Sequence, residues 1–341
     1  MRPRKLLGGA AVAAVVVSGL AVSPTASTMA VGAAASANVK CKPGQADSGH
    51  ARVPLGVNMG RDPNTLTQAE VEQMEGRTAR LLRNRGVSPI ARPNGSVTVP
   101  THVHVLVRND GSGNVADWRI RRQVRVLNQA FSGSTAPDAA DTPFRFRLDS
   151  IDRTHNTDWY NMDGADSVLA RRALRIGDAR HLNLYVTNFD GRLDGLLGFA
   201  TFPQSYKKRP RLDGAVIWRQ SLPGGNAIYD IDDENEPDGT LHYAKGDTAT
   251  HEVGHWMNLY HTFQGSCGPK NDYVADTPRQ KAEPNVFFCN VGFNTCGGVA
   301  SPKDPVRNFM NYVDDECMNQ FTPGQRDRMN ISWYIRRVLS N

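Results

Sequence analysis

The chain has 341 residues, of which 39% are hydrophobic and 22% charged, with 40 Lys and Arg against 34 Asp and Glu. The formal charge of +6 drops to about +3 once the three basic residues nearest the N-terminus are set aside (6 minus 3). That balance excludes a nucleic-acid partner and leaves local motifs to carry the reading.

Those three residues, Arg2, Arg4 and Lys5, precede an apolar run from Leu6 to Val22 rich in Ala, Val and Gly. The pattern is that of a secretory signal peptide over 1–37, cut between about 26 and 37, with small residues at Thr28 and Ala30 or at Ala35 and Ala37. A stable membrane anchor is disfavoured, because Gly8, Gly9, Ser18 and Gly19 interrupt the run and Ser23 and Pro24 end it. The protein is therefore expected to be secreted to the extracellular space. Residues 38–95 carry Pro, Gly and charge with one helix, which starts at a capping box of Thr67 and Glu70, buries Val71, Met74, Leu81 and Leu82, and ends at Gly86. Such a stretch is too small and polar to fold alone and reads as a pro-segment leaning on the domain that follows. Cys41, odd among five cysteines, is either a zymogen switch whose thiolate fills a metal's open position or an unpaired or intermolecularly paired residue.

Residues 96–341 read as one α/β catalytic domain. Val97 to Val107 alternates, with Val99, Val103, Val105 and Val107 on one face and His102, His104 and Leu106 on the other. The two histidines are expected to be ordinary packed residues. Ile120, Val124, Leu127 and Phe131 repeat at helical spacing. Strands are expected at Phe144 to Leu148, Leu182 to Thr187, Leu196 to Phe202 and Ala215 to Trp218, with a helix over Val168 to Ile176. The arginines of 119–125 and 171–175 read as solvated helix faces. The acidic loop Asp230 to Asp238 reads as solvated surface, with cation binding or attraction of basic substrates as alternatives.

Next comes HEVGHWMNLYH, from His251 to His261. If Asp247 caps a helix, His251 and His255 share one face and aim two imidazoles at one point. Glu252 sits beside that point, where a carboxylate can take a proton from water; a structural metal site has no use for it. His261 lies too far along to share the face, so the helix must end, and Asn258 tolerates the left-handed conformation that ends it. Three neutral imidazoles with one open position describe catalytic zinc, which acidifies bound water from ~15.7 to about 7. Activity is expected to fall below about pH 6, as the imidazoles protonate. The rivals are a zinc hydrolase of a non-peptide bond and a secreted zinc-binding module without catalysis; Glu252 argues against the second.

The stretch resembles the metzincin HExxHxxGxxH signature, with Asn258 in place of its Gly. The flanking GDTATHEVGHW, HTFQG and DTPRQ, together with NFMNYVDDECMNQFTPGQRDRM from Asn308 to Met329, are similar to the pappalysin family in its ulilysin-like branch. The resemblance implies a metzincin-like zincin: a twisted mixed sheet, a zinc-binding helix and a loop-rich, disulfide-stapled C-terminal lobe. It implies a zinc-dependent endopeptidase made as a latent precursor and acting on protein or peptide substrates; a monomer is expected. It also implies a Met-turn at Met310, an oxyanion-stabilising role for Tyr312, and a cleft rim at Leu196 to Phe202 on which substrate adds as an antiparallel strand. The disulfides Cys267–Cys296 and Cys289–Cys317 are likewise implied, and four cysteines in an exported domain favour bridges over a zinc ribbon. Asp272, Thr277 and the backbone at Val274 match a calcium loop, with an Asx turn as the other account. Independently of any family, Thr322, Pro323 and Gln325 open a C-terminal helix with Met329, Trp333 and Val338 inside.

Overall fold

The structure, a computed structural model, describes residues 51–54, 66–85, 92–189, 194–230, 239–282, 285–297 and 302–339. The signal peptide, Cys41, Gly86 and the acidic loop beyond Asp230 lie outside them. Its strands are β1 (Ala51–Arg52), β2 (Val97–Val107), β3 (Phe144–His155), β4 (Leu182–Thr187), β5 (Gly198–Ala200), β6 (Ala215–Trp218), β7 (Ile228–Asp230) and β8 (Thr240–His242). The helices are α1 (Gln68–Arg85), α2 (Asp117–Phe131), α3 (Thr157–Asn161), α4 (Gly164–Leu174), α5 (Asp247–Trp256) and α6 (Pro323–Ser332).

Six strands form one mixed sheet in the order β1-β5-β6-β4-β2-β3, and β7 and β8 form a separate hairpin. The valines of β2 suit a strand covered on both faces, and β2 pairs in parallel with both β3 and β4. Val99, Val103, Val105 and Val107 pack with Ile120, Val124, Leu127 and Phe131 of α2 and with Ala249 and Val253 of α5. Leu106 faces the other way, into a second cluster with Tyr185, Phe199, Val216 and Tyr312. Helix α5 is thus clamped by the main core. His102 and His104 are satisfied within the sheet, by Ser150 and His181 and by Asp152 and Asn183.

Two expectations need correction. Arg171 and Arg175 are buried, not solvated. Arg171 donates to the carbonyls of Ser167 and Leu212, and Arg175 reaches the Gly177 and Asp178 carbonyls and Asp213. Carbonyls left open by loops can satisfy a guanidinium as water would, which a charge count along a helix does not register. The rim strand is also shorter than Leu196 to Phe202, since only Gly198–Ala200 pairs as β5.

Helix α1 begins at the expected box: Thr67 N–H donates to Glu70 and Glu70 N–H to the Thr67 hydroxyl. It leans on the body through Val71 and Met74, which meet Phe202 and Tyr260, while Glu75 accepts from the Tyr260 hydroxyl at 2.9 Å and from Arg328 at 2.6 Å. Between α5 and α6 the chain is mostly loop, tied by disulfides Cys267–Cys296 and Cys289–Cys317, the pairing the resemblance implies. Helix α6 opens with a full capping box of Thr322 and Gln325 and runs into a π-helical turn, Trp333–Val338.

Candidate active site

Helix α5 carries the chemistry, and its two ends are held in different ways. Gly246 enters it in a left-handed conformation, φ 106°, so Asp247 is the first helical residue and not the cap. The cap comes from far along the chain: Asp315 Oδ2 accepts the N–H groups of Lys245, Gly246 and Asp247 at 2.9, 3.0 and 3.2 Å. An anion at a helix N-terminus satisfies orphan donors and complements the helix dipole. Burial, reinforced by the neighbouring Asp315 charge, raises the Asp247 carboxyl well above the usual range.

The other end is a Schellman motif. Asn258 sits at φ 85°, its N–H bonds the His255 carbonyl at 2.8 Å, and Leu259 N–H bonds Gly254 at 2.9 Å. This turn swings His261 back beside the helix. Asn258→Gly is expected to stay within about 1 kcal/mol of the wild type, whereas Asn258→Val should cost about 2 kcal/mol, because only the latter is strained in the left-handed region. Both lose the contact from Gln204, so chemical denaturation of the pair isolates the backbone effect.

The result is a cluster of three buried imidazoles whose Nε2 atoms lie 3.0 to 3.2 Å apart. Nδ1 of His251 faces the Phe309 carbonyl at 2.7 Å and Nδ1 of His255 the Leu259 carbonyl at 2.8 Å. A carbonyl only accepts, so each Nδ1 carries the proton and each Nε2 turns a lone pair inward. Burial pushes His255 down to about 3, keeping it neutral. Convergent lone pairs repel unless a cation takes them, and tetrahedral zinc at about 2.0–2.1 Å from each nitrogen needs separations of about 3.4 Å. The donor set fits such an ion.

Below the cluster, Met310 presses on the helix so closely that a Cβ added at Gly254 would fall 2.4 Å from its sulfur. Gly254 is small because the methionine floor needs the space. The Tyr312 ring packs edge-on against His261 with centroids 4.7 Å apart and lies 5.8 Å from His251. Above the cluster, a Cβ at Gly198 would come within 2.9 Å of Glu252 Cγ, so strand β5 rides directly over Glu252.

The open edge of β5 is taken by the chain itself. β1 pairs antiparallel with it, Arg52 opposite Gly198, and Leu197 N–H donates to the Arg52 carbonyl at 2.9 Å. Arg52 N–H donates to Glu252 Oε1 at 3.0 Å. Its side chain is fully buried: Nη1 meets Asp315 Oδ1 at 2.6 Å and Thr248 Oγ1 at 3.2 Å, Nη2 reaches the Val313 carbonyl, and the guanidinium lies over Tyr243. Arg52 and Asp315 are the site residues that sequence reasoning missed. Asp272, far from the histidines in role, is buried with Oδ1 accepting Val274 N–H at 3.0 Å; burial pushes its carboxyl up to about 8 despite that bond. Thr277 is buried with it.

Comparison with known proteins agrees with this geometry. The family described as pregnancy-associated plasma protein-A, peptidase M43, matches residues 232–332. Extracellular metalloprotease 1 of Coccidioides posadasii is 38% identical over 245 residues, covering 70% of this chain and 77% of that protein. An extracellular metalloprotease of Verticillium alfalfae is 36% identical over 251 residues, 72% and 80% of the two chains. Mature mirolysin of Tannerella forsythia, solved with a cleaved peptide, is 28% identical with a TM-score of 0.56, covering 73% of this chain and 98% of that one. A promirolysin mutant from the same organism is 25% identical with a TM-score of 0.60, covering 80% and 94%. No helix among the described residues is long and apolar enough to cross a membrane. The chain belongs to the pappalysin family of metzincin metalloendopeptidases and is an extracellular metalloprotease.

Proposed function

We propose that His251, His255 and His261 hold one catalytic zinc ion, and that Glu252 is the general base of peptide-bond hydrolysis in an enzyme made as a latent precursor. The convergence of three buried Nε2 atoms beside Glu252 is the observation that carries this reading. When bound, zinc supplies Lewis acidity toward water and the scissile carbonyl. Glu252 takes the proton of the attacking water and passes it to the leaving nitrogen. Tyr312, packed against two of the imidazoles, steadies them and offers its hydroxyl to the developing oxyanion. The pro-segment spans residues 38–95 and the catalytic domain 96–341.

Substrate adds to the edge of β5 as an extended strand, with a basic side chain after the cut in the pocket of Asp315, Thr248 and the Val313 carbonyl. Arg52 supports this, because it fills that pocket with charge-assisted bonds.

Digesting a mixed peptide library with the processed protein tests the reading. Cleavage before Arg or Lys that stops on chelation and returns with zinc is expected. A folded, zinc-loaded protein that leaves every peptide intact would shift the assignment to a non-peptide bond.

Asp272, Thr277 and the Val274 backbone are proposed to hold calcium, which would remove the cost of burying the Asp272 charge. Calcium at about a hundredfold over Kd is expected to raise Tm by about 5 °C. Asp272→Asn should abolish the shift in a thermal melt; an unchanged shift would place calcium elsewhere.

A further inference from the structure

We infer that Glu75, on helix α1, is a positioning residue for the zinc site, acting through Arg328 and Tyr260 on the turn that delivers His261. The inference rests on the zinc-peptidase reading above and adds a brace that lies outside the cleft.

Two of the three imidazoles depend on that turn. Asn258 reverses the chain at φ 85°. The next carbonyl, that of Leu259, accepts from His255 Nδ1 at 2.8 Å, and two residues further on His261 enters the cluster. The N–H groups of Asn258 and Leu259 bond back to α5. The Asn258 carbonyl is instead held from outside, by Arg328 Nε at 2.7 Å.

That donor is fixed in turn by α1. Arg328 directs Nη1 and Nη2 at Glu75 Oε2 and Oε1, at 3.3 and 2.6 Å. A guanidinium is planar, so holding its two Nη atoms also aims its Nε–H. The group lies over the Tyr260 ring, 4.6 Å from the centroid. Tyr260 precedes His261 in the chain and donates its hydroxyl to the same Oε1 at 2.9 Å. One carboxylate thus gathers two side chains that bracket the turn, Arg328 at its start and Tyr260 at its end. Burial works to raise the Glu75 carboxyl, and the Arg328 guanidinium outweighs it, so the group is held below its usual range and stays charged. Arg336, which donates to Thr78 at 3.0 Å, adds a second positive charge nearby.

Docking alone would not need this charge. Leu66, Val71 and Met74 already bury the helix against Phe202 and Tyr260, and Phe202 lies 5.6 Å from the His255 ring. Without Glu75, a guanidinium that is only 12% exposed loses its ion-pair partner and is drawn toward water, away from the Asn258 carbonyl. A brace works only while it is in place, so α1 stays on the domain in the working enzyme when the rest of the pro-segment leaves.

The test measures zinc release from the processed protein to a chromophoric chelator, together with kcat and KM on a library peptide. Glu75→Ala is expected to release zinc about tenfold faster and to lower kcat about tenfold with KM within about twofold, the scale for losing a partner behind a metal ligand. Arg328→Lys should behave alike, because an ammonium is a point charge that cannot serve carbonyl and carboxylate in one plane. Glu75→Gln keeps the shape and one acceptor oxygen and should recover part of the loss. Glu72→Ala, which breaks only exposed contacts to Lys270 and Gln68, should match the wild type. Zinc release at the wild-type rate from Glu75→Ala overturns the inference and spares the peptidase reading.

A second measurement needs neither zinc nor activity. In metal-free protein, hydrogen exchange of the Leu259 amide, bonded to the Gly254 carbonyl at 2.9 Å, should quicken about tenfold in Glu75→Ala while the amides of β2 keep their wild-type rates. Equal quickening at both places would make α1 a general stabiliser and sink the brace, as would no change at Leu259. A wild-type protein that takes up no zinc overturns the metal reading and leaves this exchange result to decide the brace. A processed enzyme that is fully active without residues 66–85 removes the brace and keeps the peptidase.

Discussion

Glu252→Gln is expected to lower kcat/KM on the best library peptide by about a thousandfold while zinc content stays at one per chain. Gln has the shape of Glu and can still accept the N–H that Arg52 donates at 3.0 Å, so the cleft should keep its geometry. What it lacks is a basic oxygen. Proton transfer by a positioned side chain contributes about 10²–10⁴-fold, and the mutation removes that whole contribution, because the same group serves water and leaving nitrogen in turn. Metal analysis separates this result from loss of the ion, since the three imidazoles are untouched. Activity within tenfold of the wild type would show that another group takes the proton.

Asp315→Ala in the uncut precursor is expected to cost about 3–5 kcal/mol of stability, the range for removing one partner of a buried ion pair. Two losses combine. Arg52 keeps its charge in a pocket with no exposure on either side chain of the pair, and three N–H groups at the start of α5 lose their acceptor. The two can be separated by a double-mutant cycle. Combining Asp315→Ala with Arg52→Met should recover roughly 2 kcal/mol, since the stranded cation goes while the uncapped helix remains. Urea denaturation of the four proteins gives the coupling. Strict additivity would show that the guanidinium and carboxylate do not depend on each other.

The parts of the site that lie close together in sequence were the legible ones. His251 and His255 fall on one helix face by periodicity alone with Glu252 beside them, and Asn258 marks the turn because its side chain tolerates a positive φ. β2 was equally clear, its valines on one face and its histidines on the other. Several of the misreadings involve partners that arrive from a distance. Asp247 was the nearest acceptor to the helix start, but Gly246 turns the chain so that a carboxylate from position 315 takes the place. Arg171 and Arg175 looked like surface charge because a count of charges registers neither the Leu212 carbonyl and Asp213 carboxylate that come from other elements nor the nearby carbonyls of Ser167, Gly177 and Asp178. Arg52 had no local signal whatever: it lies in a polar stretch without periodicity, and its side-chain hydrogen bonds reach 196 to 263 residues along the chain. The fold class could be read because alternation is local. The pocket around Arg52 could not, because it is assembled from separate segments.

An extracellular protease lives among its own copies, and the two disulfides bear on that. The loops they close, 267–296 and 289–317, overlap between 289 and 296. A single nick at any position from 267 to 317 therefore severs the backbone without separating the pieces, for at least one bridge always spans it. The lobe that carries Met310 and Tyr312, and much of the wall around the imidazoles, can be cut once and still remain one covalent molecule.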